Sequence, residues 1–259
     1  MSQLNIIILA AGKGTRMHSS LPKVLHEVGA KPILGHVIDC AKALSPDKVI
    51  VVYGFGGEIV KNAFSQENIT WVNQAEQLGT GHAVQQAVPY LEDNAKTLIL
   101  LGDVPLVDVE SCKNLVAQST HQLVIQSFNK ADPTGYGRIV RSPDGQVNAI
   151  VEHKDATDAQ RNILEVNTGI MAMPNKYLKK WLSRLTNNNA QGEYYLTDIV
   201  SLAVAEGVSV SAEITKDEWS VTGINSKSDL VQIERVHQSK IAQNLLNLGV
   251  TLKDASRLD

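Results

Sequence analysis

Short unbroken apolar runs alternate with helix-period segments along the first half of the chain. Ile6 to Leu9, Val49 to Val52 and Leu98 to Leu101 are continuous runs of four aliphatic residues. Such runs fit strands covered on both faces, as a parallel sheet requires. Between them, Ile33, Leu34, Val37, Ile38 and Ala41 recur at helical spacing, as do Ala83, Val84, Ala87, Val88 and Leu91 after a Thr80 placed to cap. This order predicts an α/β chain, a mostly parallel sheet with helices on both faces. The second half is more mixed. Leu123 to Phe128 and Val166 to Met173 read as strands, and Arg138–Val140 and Val147–Val151 flank a Pro143-Asp144-Gly145 turn, a hairpin signal. Gly192 to Leu196 reads as a loop, and Thr197-Asp198 opens a helix over Ile199–Ala205. Ser226 and Asp229 resemble a capping box before a long helix. Leu230, Ile233, Ile241, Leu245 and Leu248 form its apolar face, and Gly249 stops it.

Composition narrows the function classes. The chain has 259 residues, 43% of them hydrophobic and 20% charged, with a net charge of −3. That is enough chain for a sizeable core, and its charge is not that of a nucleic-acid-binding protein. No apolar run approaches the ~20 residues of a membrane span. The first residues, Met-Ser-Gln-Leu-Asn, lack the basic and apolar regions of a signal peptide. Cys40 and Cys112 lie in apolar helix-like stretches without CxxC spacing, which reads as two buried free thiols in a reducing compartment. A cytoplasmic protein is expected.

The chemistry concentrates where the first apolar run ends. Leu9-Ala10-Ala11-Gly12-Lys13-Gly14-Thr15-Arg16-Met17 is followed by Pro22-Lys23. The carboxyl end of a strand is where open α/β sheets form their ligand crevice. Ala10, Ala11 and Gly12 are small enough for backbone N–H groups to approach a ligand, and Gly14 permits a tight turn. Lys13, Arg16 and Lys23 add positive charge, so the segment has the composition of a phosphate site. A dinucleotide fingerprint would need glycine at Met17, and a Walker A loop would need Gly-Lys-Ser/Thr after four intervening residues; neither pattern is met. Asp103, in Leu101-Gly102-Asp103-Val104-Pro105, follows another apolar run and would point a carboxylate into the same crevice. The seven histidines show no metal-ligand spacing, and none is assigned a catalytic role.

Nine segments together, LAAGKGTRM, LPKVLH, QAEQLGTGHAV, LLGDVPL, GYGRIVR, IVEHKDA, EVNTGIM, GEYYLTD and GIN, resemble the nucleotide-sugar pyrophosphorylases. They are most similar to the uridyltransferase half of the bifunctional N-acetylglucosamine-1-phosphate uridyltransferases/glucosamine-1-phosphate acetyltransferases. The resemblance runs from Leu4 to the end of the chain. It implies a three-layer α/β/α, glycosyltransferase-A-like fold with a small β-hairpin subdomain and a long C-terminal helix. Residues 1–225 would form the transferase domain, and residues 226–259 a linker helix.

The resemblance also implies roles. Leu9, Ala10, Ala11, Gly12, Lys23, Leu101 and Gly102 would contact UTP, with Arg16, Lys23 and Asp103 catalytic. Gln74 would read the uracil imide edge in bidentate fashion, with Gly79 and Thr80 beside it. Asp103 and Asn225 would hold Mg2+. Gly137, Glu152, Asn167 and Thr197 would hold the N-acetylglucosamine-1-phosphate. Peptidoglycan and lipopolysaccharide precursor supply, with its bearing on cell shape, is the expected context. Full-length members continue into a trimerising left-handed β-helix that carries an acetyltransferase. This chain has no hexapeptide repeat, so acetyl transfer and trimerisation are not expected of these residues. Two alternatives remain open at this point: a related enzyme for another sugar phosphate or nucleotide, and a non-catalytic nucleotide-sugar-binding module.

Overall fold

The computed structural model describes residues 3–258; Met1, Ser2 and Asp259, at the outer ends of the two expected segments, lie outside the described residues. Chain order begins with β1 (Leu4–Ala10), a short hairpin of β2 (Glu27–Val28) and β3 (Lys31–Pro32), α1 (Ile33–Ala43), β4 (Lys48–Tyr53), α2 (Gly57–Ala63) and β5 (Thr70–Asn73). It continues through α3 (Thr80–Ala87), β6 (Lys96–Leu101), α4 (Val109–Gln118) and β7 (Leu123–Asn129). Next come β8 (Arg138–Arg141), β9 (Val147–Val151), α5 (Asp158–Arg161), β10 (Glu165–Pro174) and α6 (Asn175–Leu182). The last elements are α7 (Asp198–Ala205), β11 (Val210–Thr215) and α8 (Lys227–Asn247).

The main sheet runs β11-β7-β10-β6-β1-β4-β5, with the β8–β9 hairpin attached to β10. β1 pairs in parallel with β4 and β6, β4 with β5, and β11 with β7. β10 runs antiparallel to both its sheet neighbours, so the mostly parallel sheet has one reversed strand at its centre. Periodicity could not show this, because an apolar run covered on both faces looks the same in either direction.

Strand alternation distributes the core between two layers. Ile7, Ile50, Val52 and Ile99 pack with Val84 of α3, Trp181 of α6 and Ile199 of α7. Their neighbours Ile6, Ile8, Val51 and Leu100 face the other way, against Leu34 and Ile38 of α1 and Leu115 of α4. Ile6, Ile7 and Ile8 are fully buried, each worth roughly 1.5–3 kcal/mol of transfer free energy. Cys40 and Cys112 are free and buried in the second layer, as their apolar context predicts.

The capping box at Ser226 and Asp229 starts α8 as expected, and Gly249 follows the helix with a φ of 87°. Its apolar face is not a buried stripe. Ile233 joins Met17, Val28, Ile33 and Ile224 in a small cluster with Leu230 packed against it, whereas Ile241 is 39% and Leu248 81% exposed. Beyond Ile233 the helical spacing of Ile241, Leu245 and Leu248 meets no core layer among the described residues. Among those residues, no helix is long and apolar enough to cross a membrane.

Candidate active site

Two clefts meet at the carboxyl ends of β1 and β6. The first, about 330 Å³, is walled by the Leu9–Gly12 segment leaving β1, by Gln74, Gly79 and Thr80 ahead of and within α3, and by Lys23, Leu101 and Asp103. The second, about 320 Å³, is walled by Arg16, Gly137, Glu152, Asn167, Thr197 and Asn225 among others. Leu9, Thr80, Leu101 and Asp103 line both, so the clefts are one continuous depression with Asp103 at the junction. Every residue given a role from the sequence lines one cleft or the other except Gly102. Gly102 acts behind the wall: its N–H donates to the Leu9 carbonyl at 2.8 Å and ties β6 to the glycine-rich turn. Lys13 stands on an exposed stretch of that turn and lines neither cleft.

The junction is built by three distant segments. Asp103 lies two residues past β6, and its carbonyl accepts the Ile224 N–H at 2.9 Å, which docks the Gly223–Asn225 turn beside it. The cap of α8 holds that turn from behind, because the Asp229 carboxylate accepts from the N–H groups of Asn225 and Ser226, both at 2.9 Å. The Lys23 ammonium reaches in and donates to Asp103 Oδ2 at 2.5 Å and to Asn225 Oδ1 at 3.3 Å. The resemblance implies a Lys23 aimed at phosphates; its ammonium pairs with the Asp103 carboxylate at the junction of the two clefts.

A carboxylate and an amide oxygen converging on one positive charge form the hard donor pair that suits Mg2+ or a similar divalent cation. Among the described residues, no group of three or more His, Cys, Asp or Glu side chains could hold a metal. The two oxygens therefore suit a cation that takes its other ligands from substrate and water.

In the first cleft, Gln74 is 3% exposed, and its backbone N–H donates to the Tyr53 carbonyl at 2.8 Å. Its side-chain nitrogen donates to the Gly79 carbonyl at 3.1 Å and stands 3.0 Å from His82 Nδ1. Gly79 has a φ of 108°, and a Cβ there would meet the Tyr194 carbonyl oxygen at 2.6 Å, so only glycine fits this close approach. Thr80 is the first helical residue and does not cap; its hydroxyl accepts the Leu196 N–H at 3.2 Å and ties α3 to the loop before α7.

On the other side, Thr197 Oγ1 donates to Glu152 Oε1 at 3.0 Å instead of capping α7. Burial raises the pKa of the Glu152 carboxyl above the ordinary glutamate value, opposed by the Thr197 hydrogen bond and reinforced by the nearby Asp198, Asp155 and Glu193. Asn167 N–H donates to the Gly137 carbonyl at 2.8 Å, and its Oδ1 accepts the Gly169 N–H at 3.1 Å. A Cβ on Gly137 would lie 3.0 Å from Ile150 and 3.4 Å from Glu152, so a side chain there would intrude on the carboxylate.

The clefts also contain residues that the sequence did not single out. Gln77 and Glu193 line the first; Tyr136 and Gly223 line the second. All four lie inside the quoted segments, and that membership was the available signal. Arg138, one residue past Gly137, is 1% exposed. Its guanidinium donates to the Tyr136 carbonyl and to the Arg161 carbonyl at 3.4 Å, holding the loop that rims the second cleft.

Residues 6–170, which contain both sheet-end motifs, match the MobA-like NTP transferase domain. The chain belongs to that family. Leu9 to Lys23 and Asp103 fall within the matched range of this MobA-like transferase, and Asn225 lies outside it. The chain is similar to the bifunctional protein GlmU of Methylobacillus flagellatus, 62% identical over 258 residues that span 100% of this chain and 56% of that protein. GlmU of Nitrosospira multiformis is 54% identical over 261 residues, 57% of its length. The chain therefore spans little more than half the length of these curated relatives. A crystal structure of UDP-glucose pyrophosphorylase complexed with UDP-glucose superposes with a TM-score of 0.72 at 16% identity, over 93% of this MobA-like chain and all of that one, which shows a shared fold.

Proposed function

We propose that the chain is a cytoplasmic, Mg2+-dependent uridylyltransferase that forms UDP-N-acetylglucosamine and pyrophosphate from UTP and N-acetylglucosamine-1-phosphate. The observation that carries this reading is the junction itself: two clefts share Asp103, and Lys23 and Asn225 converge on it from the two sides. A nucleotidyl transfer needs two phosphorylated substrates held side by side with charge compensation between them. The similarity to GlmU proteins supports the choice of nucleotide and sugar. In this reading residues 1–225 are the transferase unit, and residues 226–259 are a connecting helix toward the part of the relatives' length that the chain does not span.

In the proposed reaction, an oxygen of the sugar phosphate attacks the α-phosphorus of UTP and pyrophosphate leaves. A phosphate monoester is already a nucleophile near neutral pH, so the protein needs no general base; its task is placement and charge compensation. The Leu9–Gly12 segment packs against the nucleotide, and Gln74, Gly79 and Thr80 receive the base. Glu152, Asn167, Thr197 and the Gly137 backbone hold the sugar, and Arg16, on the wall of the second cleft, joins Lys23 in clamping the phosphates. Asp103 and Asn225 would hold Mg2+, which would supply charge to offset the repulsion between the two phosphates. Lys23, released from Asp103, has the charge and reach to meet the leaving pyrophosphate. The test is pyrophosphate release with and without Mg2+, using CTP, ATP and glucose-1-phosphate as controls. Release that needs UTP, the N-acetylated sugar phosphate and the metal together supports the proposal; release from no pair sinks it.

A further inference from the structure

We infer that His82 is a positioning residue for base selection: its ring fixes the Gln74 amide so that the oxygen, and not the nitrogen, faces the nucleobase. This deepens the proposed uridylyl transfer and rests on it. The Gln74 amide nitrogen carries two hydrogens. The Gly79 carbonyl, at 3.1 Å, takes one, and His82 Nδ1, at 3.0 Å, is placed to take the other. The opposite ring nitrogen, His82 Nε2, lies 3.1 Å from the side-chain nitrogen of Gln86. A neutral imidazole has one N–H and one lone pair, so two amide nitrogens cannot both donate to it. One amide must present its oxygen to the ring.

Gln86 is the one that turns. It is half-buried, and the bond it gives up, to the His82 carbonyl at 3.1 Å within its own helical turn, leaves an acceptor that α3 or water can satisfy. Gln74 is almost completely buried, and its nitrogen is tied to a carbonyl on a loop that cannot shift. Gly81 N–H donates to the Tyr194 carbonyl at 2.7 Å, and Gly79 packs against the same carbonyl. The Tyr194 ring also lies beside the imidazole, with centroids 6.3 Å apart. The ring proton therefore belongs on Nε2 and the lone pair on Nδ1. Both hydrogens of the Gln74 amide are then engaged by protein, and the group it offers to the cleft is an acceptor.

The consequence separates two pyrimidines of equal size. Uracil has an N3–H, which an acceptor receives; cytosine has a lone pair at N3, which an acceptor repels. With the opposite tautomer of His82, Gln74 would turn over, present an N–H and favour cytosine. Base reading by Gln74 is thus a single acceptor contact in place of the bidentate pairing expected from the sequence.

The test compares UTP with CTP in the 259-residue chain, as the ratio of kcat/KM for pyrophosphate release and as the ratio of Kd by calorimetry for slow variants. Both nucleotides carry the same triphosphate, so damage to folding or metal affinity lowers both and leaves the ratio unmoved. His82→Leu is expected to cut the preference for UTP about tenfold, the size of one directed hydrogen bond. His82→Asp, an acceptor without a donor at the third residue of α3, where a negative charge is well tolerated, is expected to keep it. If His82→Leu retains the wild-type ratio while Gln74→Leu loses it, the His82 inference fails and base reading by Gln74 stands. If both variants retain the ratio, or the wild-type chain does not discriminate, base reading at Gln74 fails and takes this inference with it.

Discussion

The two clefts share Asp103 but are assembled in different ways. The first cleft draws mainly on the first half of the chain: the run of small residues after β1, residues 74–80 leading into α3, and the end of β6, where the Gly102 N–H donates to the Leu9 carbonyl. The second cleft is gathered from the β8–β9 hairpin, the centre of β10, the start of α7 and the turn before α8. Its walls are tied to one another: Glu152 accepts from the Thr197 hydroxyl, and the Asn167 backbone N–H donates to the Gly137 carbonyl. The first cleft is walled mainly by segments that end neighbouring sheet strands, the second by segments from more distant parts of the chain. Substitutions should therefore act differently on the two sides.

The largest expected effect lies at the junction. Asp103→Asn removes the carboxylate proposed to hold the metal and the charge partner of Lys23, and turnover should fall by about 10²-fold or more. Near-normal metal-dependent turnover in steady-state assays would show that the two sides do not depend on a shared ion there. Next is Glu152→Gln, expected to raise KM for the sugar phosphate about tenfold while leaving KM for UTP unchanged; equal changes in both would erase the distinction between the clefts.

Glu152 also makes a stability prediction of definite sign. Its folded-state pKa is raised, so the folded protein binds that proton more tightly than the unfolded chain. The site therefore favours folding at pH below the ordinary glutamate value, and that contribution is lost as pH rises through the raised value. Above that window the wild type has lost this contribution, whereas the neutral amide of the Glu152→Gln variant does not titrate. That variant should melt at the same or a higher temperature. A clear drop in Tm would mean that the carboxylate is a structural anchor.

An effect of similar size is expected of Gln74→Ala, about a tenfold loss of UTP-over-CTP preference with a smaller effect on folding; an unchanged ratio would remove base reading from this cleft. The smallest is Ser226→Ala. Loss of the α8 cap should cost about 1 kcal/mol and loosen the Asn225 turn, visible as a lower Tm and a modestly higher metal requirement. A lower Tm with no change in metal requirement would show that α8 does not position Asn225.

The same contrast governs what could be read in the sequence. β1, β4, β6 and α1 were legible because Ile6 to Leu9, Val49 to Val52, Leu98 to Leu101 and the spaced apolar residues from Ile33 to Ala41 carry their own pattern. β5 and β11 were not. Each is a sheet-edge strand with polar or exposed positions, such as Thr70 and Ile214, and each depends on its neighbour for definition. In the site, the Leu9–Gly12 turn was visible as a contiguous string. Gln74, Glu152, Asn167 and Asn225 look like ordinary surface residues in isolation and stood out only through resemblance. Glu193 and Tyr136 had no individual signal at all. The ion pair of Lys23 with Asp103 is a tertiary fact that joins the segment after β1 to the end of β6, and no local pattern encodes it.

The reversed strand β10 has a consequence for synthesis on the ribosome. β6 pairs with β1 on one side and with β10 on the other, yet Met171, which pairs with Ile99, emerges long after it. At ~5–20 residues per second the delay is on the order of 10 s. During that interval β6 presents an open edge of unpaired N–H and C=O groups beside the apolar Leu98–Leu101 run, a template for unwanted pairing with other chains. The nascent transferase should therefore be most vulnerable to aggregation, and most in need of a chaperone, between completion of β6 and arrival of β10.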